Sequence, residues 1–373
     1  MGPSNDTMKK IQTVFAGAAF MLAGNSFAAT LTALTTFGGG DGVLLPADYS
    51  GSTTGSFERG MDFNPATGDL ILASTNGGNA LRPINSSTGV VGSALTIPPI
   101  SVSGLRAWNM VAVTTSGEIY VTNLSGNASS TTQMQVYKYL SQADTAPTKK
   151  EFTIPINHRA GDALAVTGSG VGAILATGYN SVTTPPTPAP AGTDGWAALN
   201  YEAGTITSYD PASGSSVGGF RLGMTWLNST DVIGANTAGV TIGSASGPTA
   251  TTITGLATTT EPILDVVTIL GKTYLATMDA STATNRNKVR VYELNGSVAS
   301  FLADGQLITG SSSFSNSNAT GSLAWGTVSG DTATLYSLTT NNGIQAFLFT
   351  IPEPSSALLG VAGLGVLMRR RRK

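Results

Sequence analysis

The feature that most restricts this chain is a strand–turn–strand unit that returns along its length. In GMDFNPATGDLILAST (Gly60 to Thr75) and WNMVAVTTSGEIYVTN (Trp108 to Asn123), two apolar runs flank a short turn closed by glycine. Similar units start at Asp162 (DALAVTGSGVGAILATG), Leu222 (LGMTWLNSTDVIGAN), Ile263 (ILDVVTILGKTYLATMD) and Gly321 (GSLAWGTVSGDTATLYSLT). Their turns fall near residues 68, 117, 170, 229, 271 and 330. That spacing of roughly 40 to 60 residues is the period of propeller blades. A third, more polar strand often follows the hairpin, as at Met134 to Tyr139, Val289 to Leu294 and Ile344 to Thr350.

A lone hairpin cannot bury both its faces, so such units must pack on their neighbours, and closing the ring protects their edges. The expected fold is therefore all-β: a β-propeller of six or seven blades. Ala29 to Phe57 either completes a seventh blade or closes the ring with one strand. A pair of β-sandwiches is the runner-up, but it would lack the hairpin period. Composition agrees with turn-rich β-structure: 46 Gly, no Cys, one His and 11% charged residues. Glycine and asparagine take positive φ cheaply, and Thr and Val suit the pleat. Without cysteine there is no disulfide framework and no thiolate metal site. Ser181 to Gly192, rich in proline, reads as a surface insertion in or between blades rather than a domain linker.

Both ends read as addresses. Met8-Lys9-Lys10, an apolar run from Ile11 to Gly24 and the small residues of Ser26-Phe27-Ala28 form a secretory signal, with cleavage expected between Ala28 and Ala29. Either Met1 or Met8 fits as the natural start, residues 1–7 then being an upstream extension. At the other end, Pro352 and Pro354 keep any helix from extending upstream. Ser355 to Met368 is apolar or small but short of the about 20 residues that span a bilayer. Arg369, Arg370, Arg371, Arg372 and Lys373 would stay on the cytoplasmic face.

Pro352-Glu353-Pro354, an apolar stretch and an Arg-rich terminus, in that order, resemble the PEP-CTERM sorting signal of Gram-negative bacteria. The resemblance covers about 23 residues. It implies processing by an exosortase, export across the inner membrane to the cell surface or extracellular matrix, and a transient membrane anchor through the tail alone. It also implies the company of exopolysaccharide and biofilm components. The expected organisation is then a cleaved signal peptide over 1–28, a propeller over 29–350 and a sorting helix over 351–373.

Seven of the 19 cations and, with Glu353 retained, one of the 21 acids fall away with the two end segments, leaving 12 cations and 20 acids. The body thus carries a net charge of about −8, against −2 for the whole chain. That balance argues against nucleic acid, whose binding rests on neutralising phosphates, and against attraction to anionic membranes.

Catalytic constellations are scarce. His158 is the one imidazole, which excludes HExxH zinc sites and two-His facial triads. Gly214 to Gly218 matches GxSxG, but in a Gly/Ser-rich turn with its histidine upstream, so chance explains it. His158-Arg159 beside Asp162 reads as a solvated loop between strands, with a small polar site as the alternative. Asp279, Asn285 and Asn287 match no calcium-loop pattern. Trp108, Trp196, Trp226 and Trp325 sit in the repeat hairpins and read as packing residues before ligand platforms.

With no metal or cofactor motif in view, the leading expectation is a non-enzymatic binding or structural propeller at the cell surface. Its partners would be the exosortase and exopolysaccharide or another surface protein. The alternative is a polysaccharide hydrolase or lyase at the channel mouth. That chemistry needs paired carboxylates, and Asp62, Glu261 and Asp265 are the candidates near the hairpins.

Overall fold

The structure is a computed structural model. It describes residues 28–98, 105–126, 133–153, 158–181, 194–209, 220–236, 239–257, 261–279, 286–310 and 313–351. Two short strands open the described chain, β1 (Thr30–Ala33) and β2 (Val43–Leu44). Blade 1 is β3 (Glu58–Asn64), β4 (Asp69–Ser74) and β5 (Ala80–Asn85). Blade 2 is β6 (Arg106–Val113), β7 (Ile119–Leu124), β8 (Met134–Tyr139) and β9 (Thr148–Phe152). In blade 3 the innermost strand is broken into β10 (His158–Ala160) and β11 (Ala165–Thr167). Both halves pair with β12 (Ile174–Ser181), followed by β13 (Asp194–Asn200) and β14 (Thr205–Tyr209).

Blade 4 is β15 (Gly223–Trp226), β16 (Asp231–Asn236), β17 (Gly239–Ser244) and β18 (Gly247–Thr252). Blade 5 is β19 (Ile263–Ile269), β20 (Lys272–Asp279), β21 (Lys288–Asn295) and β22 (Val298–Gly305). Blade 6 is β23 (Gly321–Ser329), β24 (Thr332–Thr339) and β25 (Gly343–Thr350), with β1 as its outermost strand.

The body is thus a six-bladed propeller. Of the two roles open to the segment from Ala29, the structure selects ring closure. β1 pairs antiparallel with β25 from Thr30↔Thr350 to Ala33↔Phe347. The last blade is therefore stitched from both ends of the body, and opening the ring requires breaking that ladder. The proline-rich stretch follows β12 and precedes β13, whose flanking residues Asn180 and Asp194 pair. It therefore joins two strands of blade 3 and marks no domain boundary.

Apolar packing follows the ring. Six buried clusters each bridge one pair of neighbouring blades, among them Trp108, Tyr137 and Tyr139 between blades 1 and 2, and Tyr274, Trp325 and Phe349 between blades 5 and 6. Strands in the middle of a blade face two such clusters. Accordingly β7 and β8 are buried at every position, whereas the outer strands β9 and β14 are mostly exposed. Truncating a buried leucine here, such as Leu72, removes packing worth about 2–5 kcal/mol.

The innermost strands run the same way along the axis and approach closely. A Cβ on Gly60 would lie 2.5 Å from the Met110 Cα, and one on Gly223 would lie 2.0 Å from the Pro262 carbonyl oxygen. Further along the same strands, Asp62 meets Val113 and Thr225 meets Asp265. Position therefore advances in step from blade to blade.

Candidate functional site

This parallel ring encloses a cavity of about 370 Å³, lined by residues from the innermost strand of every blade. Met61, Met110, Leu164, Met224, Leu264 and Leu323 contribute an apolar lining. Among them stand two carboxylates, Asp62 of β3 and Asp265 of β19. Both were sequence candidates, and the ring brings them together from blades 1 and 5.

Each carboxylate is held by neutral donors. Asp62 accepts hydrogen bonds from the Phe63 amide at 2.8 Å and, across the blade boundary, from the Val113 amide at 2.7 Å. Asp265 accepts from the Thr225 hydroxyl at 2.9 Å and the Val266 amide at 2.8 Å, and its other oxygen accepts from the Trp325 amide at 2.9 Å. These bonds tie β3 to β6 and β15, β19 and β23 to one another. They also fix both carboxylates, a requirement for directional recognition.

Burial pushes the Asp62 carboxyl up to about 8, with repulsion from Asp265 adding to it and the two amide bonds opposing it. Burial likewise raises Asp265, to about 6, against the pull of its three hydrogen bonds. Near neutral pH the pair holds one proton, chiefly on Asp62, and one negative charge, chiefly on Asp265.

Glu261, four residues before Asp265, lies elsewhere. It is fully buried in an ion pair with Arg290 and accepts hydrogen bonds from the Thr277 and Tyr292 hydroxyls. The expectation that it joins the channel carboxylates is therefore wrong. Glu261 lies in the approach to β19, where Arg290 of β21 claims it as a counter-charge.

The tryptophans divide between two roles. Trp108 and Trp196 are packed between blades, as their hairpin positions suggested. Trp226 and Trp325 also border the cavity. The Trp325 indole donates to the Asp265 carbonyl at 3.3 Å, whereas the Trp226 Nε1 is buried with no acceptor.

Asp162 is not in a solvated loop: it is buried and ion-paired to Arg159 at 2.7 Å. The interruption between β10 and β11, two collinear pieces that both pair with β12, carries it inward, which the flanking polar residues concealed. Asp279 is buried in β20, and Asn287 donates to the Ile308 carbonyl and the Ser313 hydroxyl. Asn285, the GxSxG segment, Pro352, Glu353, Pro354 and Arg369 to Arg372 lie outside the described residues. Ala28 is the first described residue, and Ala29 packs beside the cluster between blades 5 and 6.

Fold and cavity together define a six-bladed β-propeller with a carboxylate-bearing central channel. Residues 350–373 match the PEP-CTERM protein-sorting motif, which implies an exosortase-sorted surface protein that is exported and transiently held by its tail. None of the curated proteins matches the chain. Among solved structures, it is similar to the PQQ-bound form of an aldose sugar dehydrogenase from Streptomyces coelicolor. Identity is 14% over 80% of this chain and 95% of that one, with a TM-score of 0.48. It is also similar to a glucose dehydrogenase, at 12% identity over 80% and 98% of the two chains and a TM-score of 0.43.

Those likenesses speak to the fold and assign no activity. They nevertheless correct the expectation of a non-enzymatic protein, because propellers of this shape include enzymes. The physical reason is plain. Scarcity of His and Cys excludes chemistry done by those side chains, but not chemistry in which a chain supplies mainly binding, orientation and electrostatics.

Proposed function

We propose that this chain is an exported surface protein of a Gram-negative bacterium whose propeller binds a carbohydrate at the mouth of its channel. The partner we favour is extracellular polysaccharide of the biofilm type. The convergence of Asp62 and Asp265 in a cavity that also carries methionine and leucine side chains supports this reading. A sugar presents hydroxyls that both donate and accept, set on apolar C–H faces. A protonated Asp62 can donate and an ionised Asp265 can accept. The methionine and leucine lining suits the C–H faces.

For delivery, the reading takes a signal peptide over 1–28, cut between Ala28 and Ala29, a propeller over 29–350 and a sorting segment over 351–373. Such a cut leaves the closing strand β1 intact, since it begins at Thr30. Pro352-Glu353-Pro354 would serve as the handle for processing, with Arg369 to Arg372 setting orientation.

One observation favours a second reading, hydrolysis of the bound polysaccharide. Burial raises Asp62, to about 8, further than Asp265, to about 6, the division between an acid and a base that glycosidic cleavage uses. A glycan array with a reducing-sugar readout tests both readings. Binding that Asp265→Asn weakens by about tenfold supports recognition at this site. New reducing ends that vanish in Asp62→Asn establish the hydrolase. If no glycan binds, or if both variants behave as the parent, the channel is not the site.

A further inference from the structure

Asp162 is the centre of a second charged cluster. Its Oδ1 meets Arg159 Nη2 at 2.7 Å and Arg59 Nη1 at 3.5 Å, and its Oδ2 meets Arg221 Nε at 3.3 Å. Arg106 stands close by, donating to the Gly55 carbonyl at 2.6 Å and to the Thr75 hydroxyl at 3.4 Å, and lying 5.4 Å above the Phe57 ring. The four arginines belong to blades 1 to 4, and each sits at or just before the start of an innermost strand. They therefore gather at the end of the ring where those strands begin, while the cavity extends past the strand ends to Pro65 and Thr115.

Among the described residues, the charge at this end does not balance. Four guanidiniums face one fully engaged acid, Asp162, and a second, Glu58, whose oxygens already accept from the Ser74 hydroxyl and the Ser52 amide. Burial lowers Arg59 to about 10; Asp162 opposes the shift, and repulsion from Arg106, Arg159 and Arg221 adds to it. Donors are also left over. Arg221 gives only its Nε to Asp162 and keeps its outer edge free, with its side chain 34% exposed. The Nε of Arg159 is buried and has no acceptor. In a body with net negative charge, a concentrated positive site with unused donors is poised for an anion.

We propose that this arginine end binds a carboxylate-bearing ligand. Asp162 displays the geometry the cluster prefers: a planar two-oxygen group with guanidiniums on both oxygens. A ligand carboxylate takes the outer edge of Arg221, with Arg159 adding its positive charge, without displacing Asp162. The same chemistry is offered by a uronic acid in an acidic glycan and by a free small dicarboxylate.

Isothermal titration of the full chain with trigalacturonate, malonate and sulfate tests this. At least one carboxylate probe is expected to bind, about tenfold more weakly to Arg221→Gln and to Arg159→Gln, and more weakly as salt rises. Malonate presents no sugar hydroxyls or C–H faces, so its binding is read apart from the fate of the carbohydrate reading. Tighter binding of trigalacturonate assigns the carboxylate to a glycan, and equal affinities assign it to a small free acid. The proposal is overturned if neither carboxylate binds, if sulfate binds as tightly as malonate, or if both arginine variants bind like the parent while keeping the parent's melting temperature.

Discussion

The two ends of the central ring hold buried charge in opposite ways. Where the innermost strands begin, Asp162 sits among arginines and is neutralised by them. Toward the far end, Asp62 and Asp265 have only amide and hydroxyl donors, and their proton affinity rises. A single strand, β3, supplies Arg59 to one end and Asp62 to the other, about 10 Å apart along the axis at the usual rise per residue. Burial alone therefore does not decide what a carboxylate becomes. The groups delivered by neighbouring blades do: a counter-ion makes it a structural anchor, and neutral donors leave it a titratable group facing a cavity.

The largest expected effect comes from removing the counter-ion. Asp162→Asn leaves four arginines with little compensating charge and should lower unfolding free energy by about 3–5 kcal/mol, measured by urea titration at pH 8. The matching change at the other end should have the opposite sign. Asp62→Asn keeps an acceptor for the Val113 amide and removes a carboxyl that resists ionisation, so at pH 8 or above it should be neutral or stabilising. Equal destabilisation by both substitutions would erase the distinction.

Next in size is the response to pH. The folded-state values of Asp62 and Asp265 lie above the ordinary 3.8. Their contribution is therefore fully present below about pH 4 and lost as pH rises through about 6 and about 8. Stability carried by these two groups should fall between pH 5 and 9. Asp62→Asn should flatten the upper half of that slope. A parent and variant with parallel pH profiles in thermal denaturation would show that Asp62 ionises freely.

How much of this was legible in the chain follows contact distance. Hairpins such as Gly60 to Thr75 are local, and their period revealed the blades. Ring closure was only one of two options, because it joins Thr30 to Thr350, which no local pattern connects. Asp62 and Asp265 are legible as candidates because they lie near the repeat hairpins, but Glu261, four residues from Asp265, is equally suitable by that criterion. Only the partner, Arg290 of β21, separates them.

The arginine end escaped notice although a signal was present. Glu58-Arg59-Gly60-Met61 and Arg221-Leu222-Gly223-Met224 carry a cation just before a Gly-Met pair, and Arg106 precedes Met110 in the next unit. Superposing the repeats by their innermost strands, rather than by their turns, places these cations on one rim. Arg159 alone gives no such signal, since the innermost strand of its blade is broken.

The smallest stability effect separates charge that anchors from charge that waits. Arg221 donates one hydrogen bond to Asp162 and is a third exposed, so solvent screens much of its attraction. Arg221→Gln should cost about 0–1 kcal/mol, far less than Asp162→Asn, because Arg59 and Arg159 still neutralise the acid. If Arg221→Gln instead approached the loss seen on removing Asp162, Arg221 would belong to the anchor. Its free edge would then be incidental, and the two ends of the ring would differ only in sign. A small loss beside an unaltered pH profile would mark Arg221 as held by the fold yet left open, as Asp265 is at the far end.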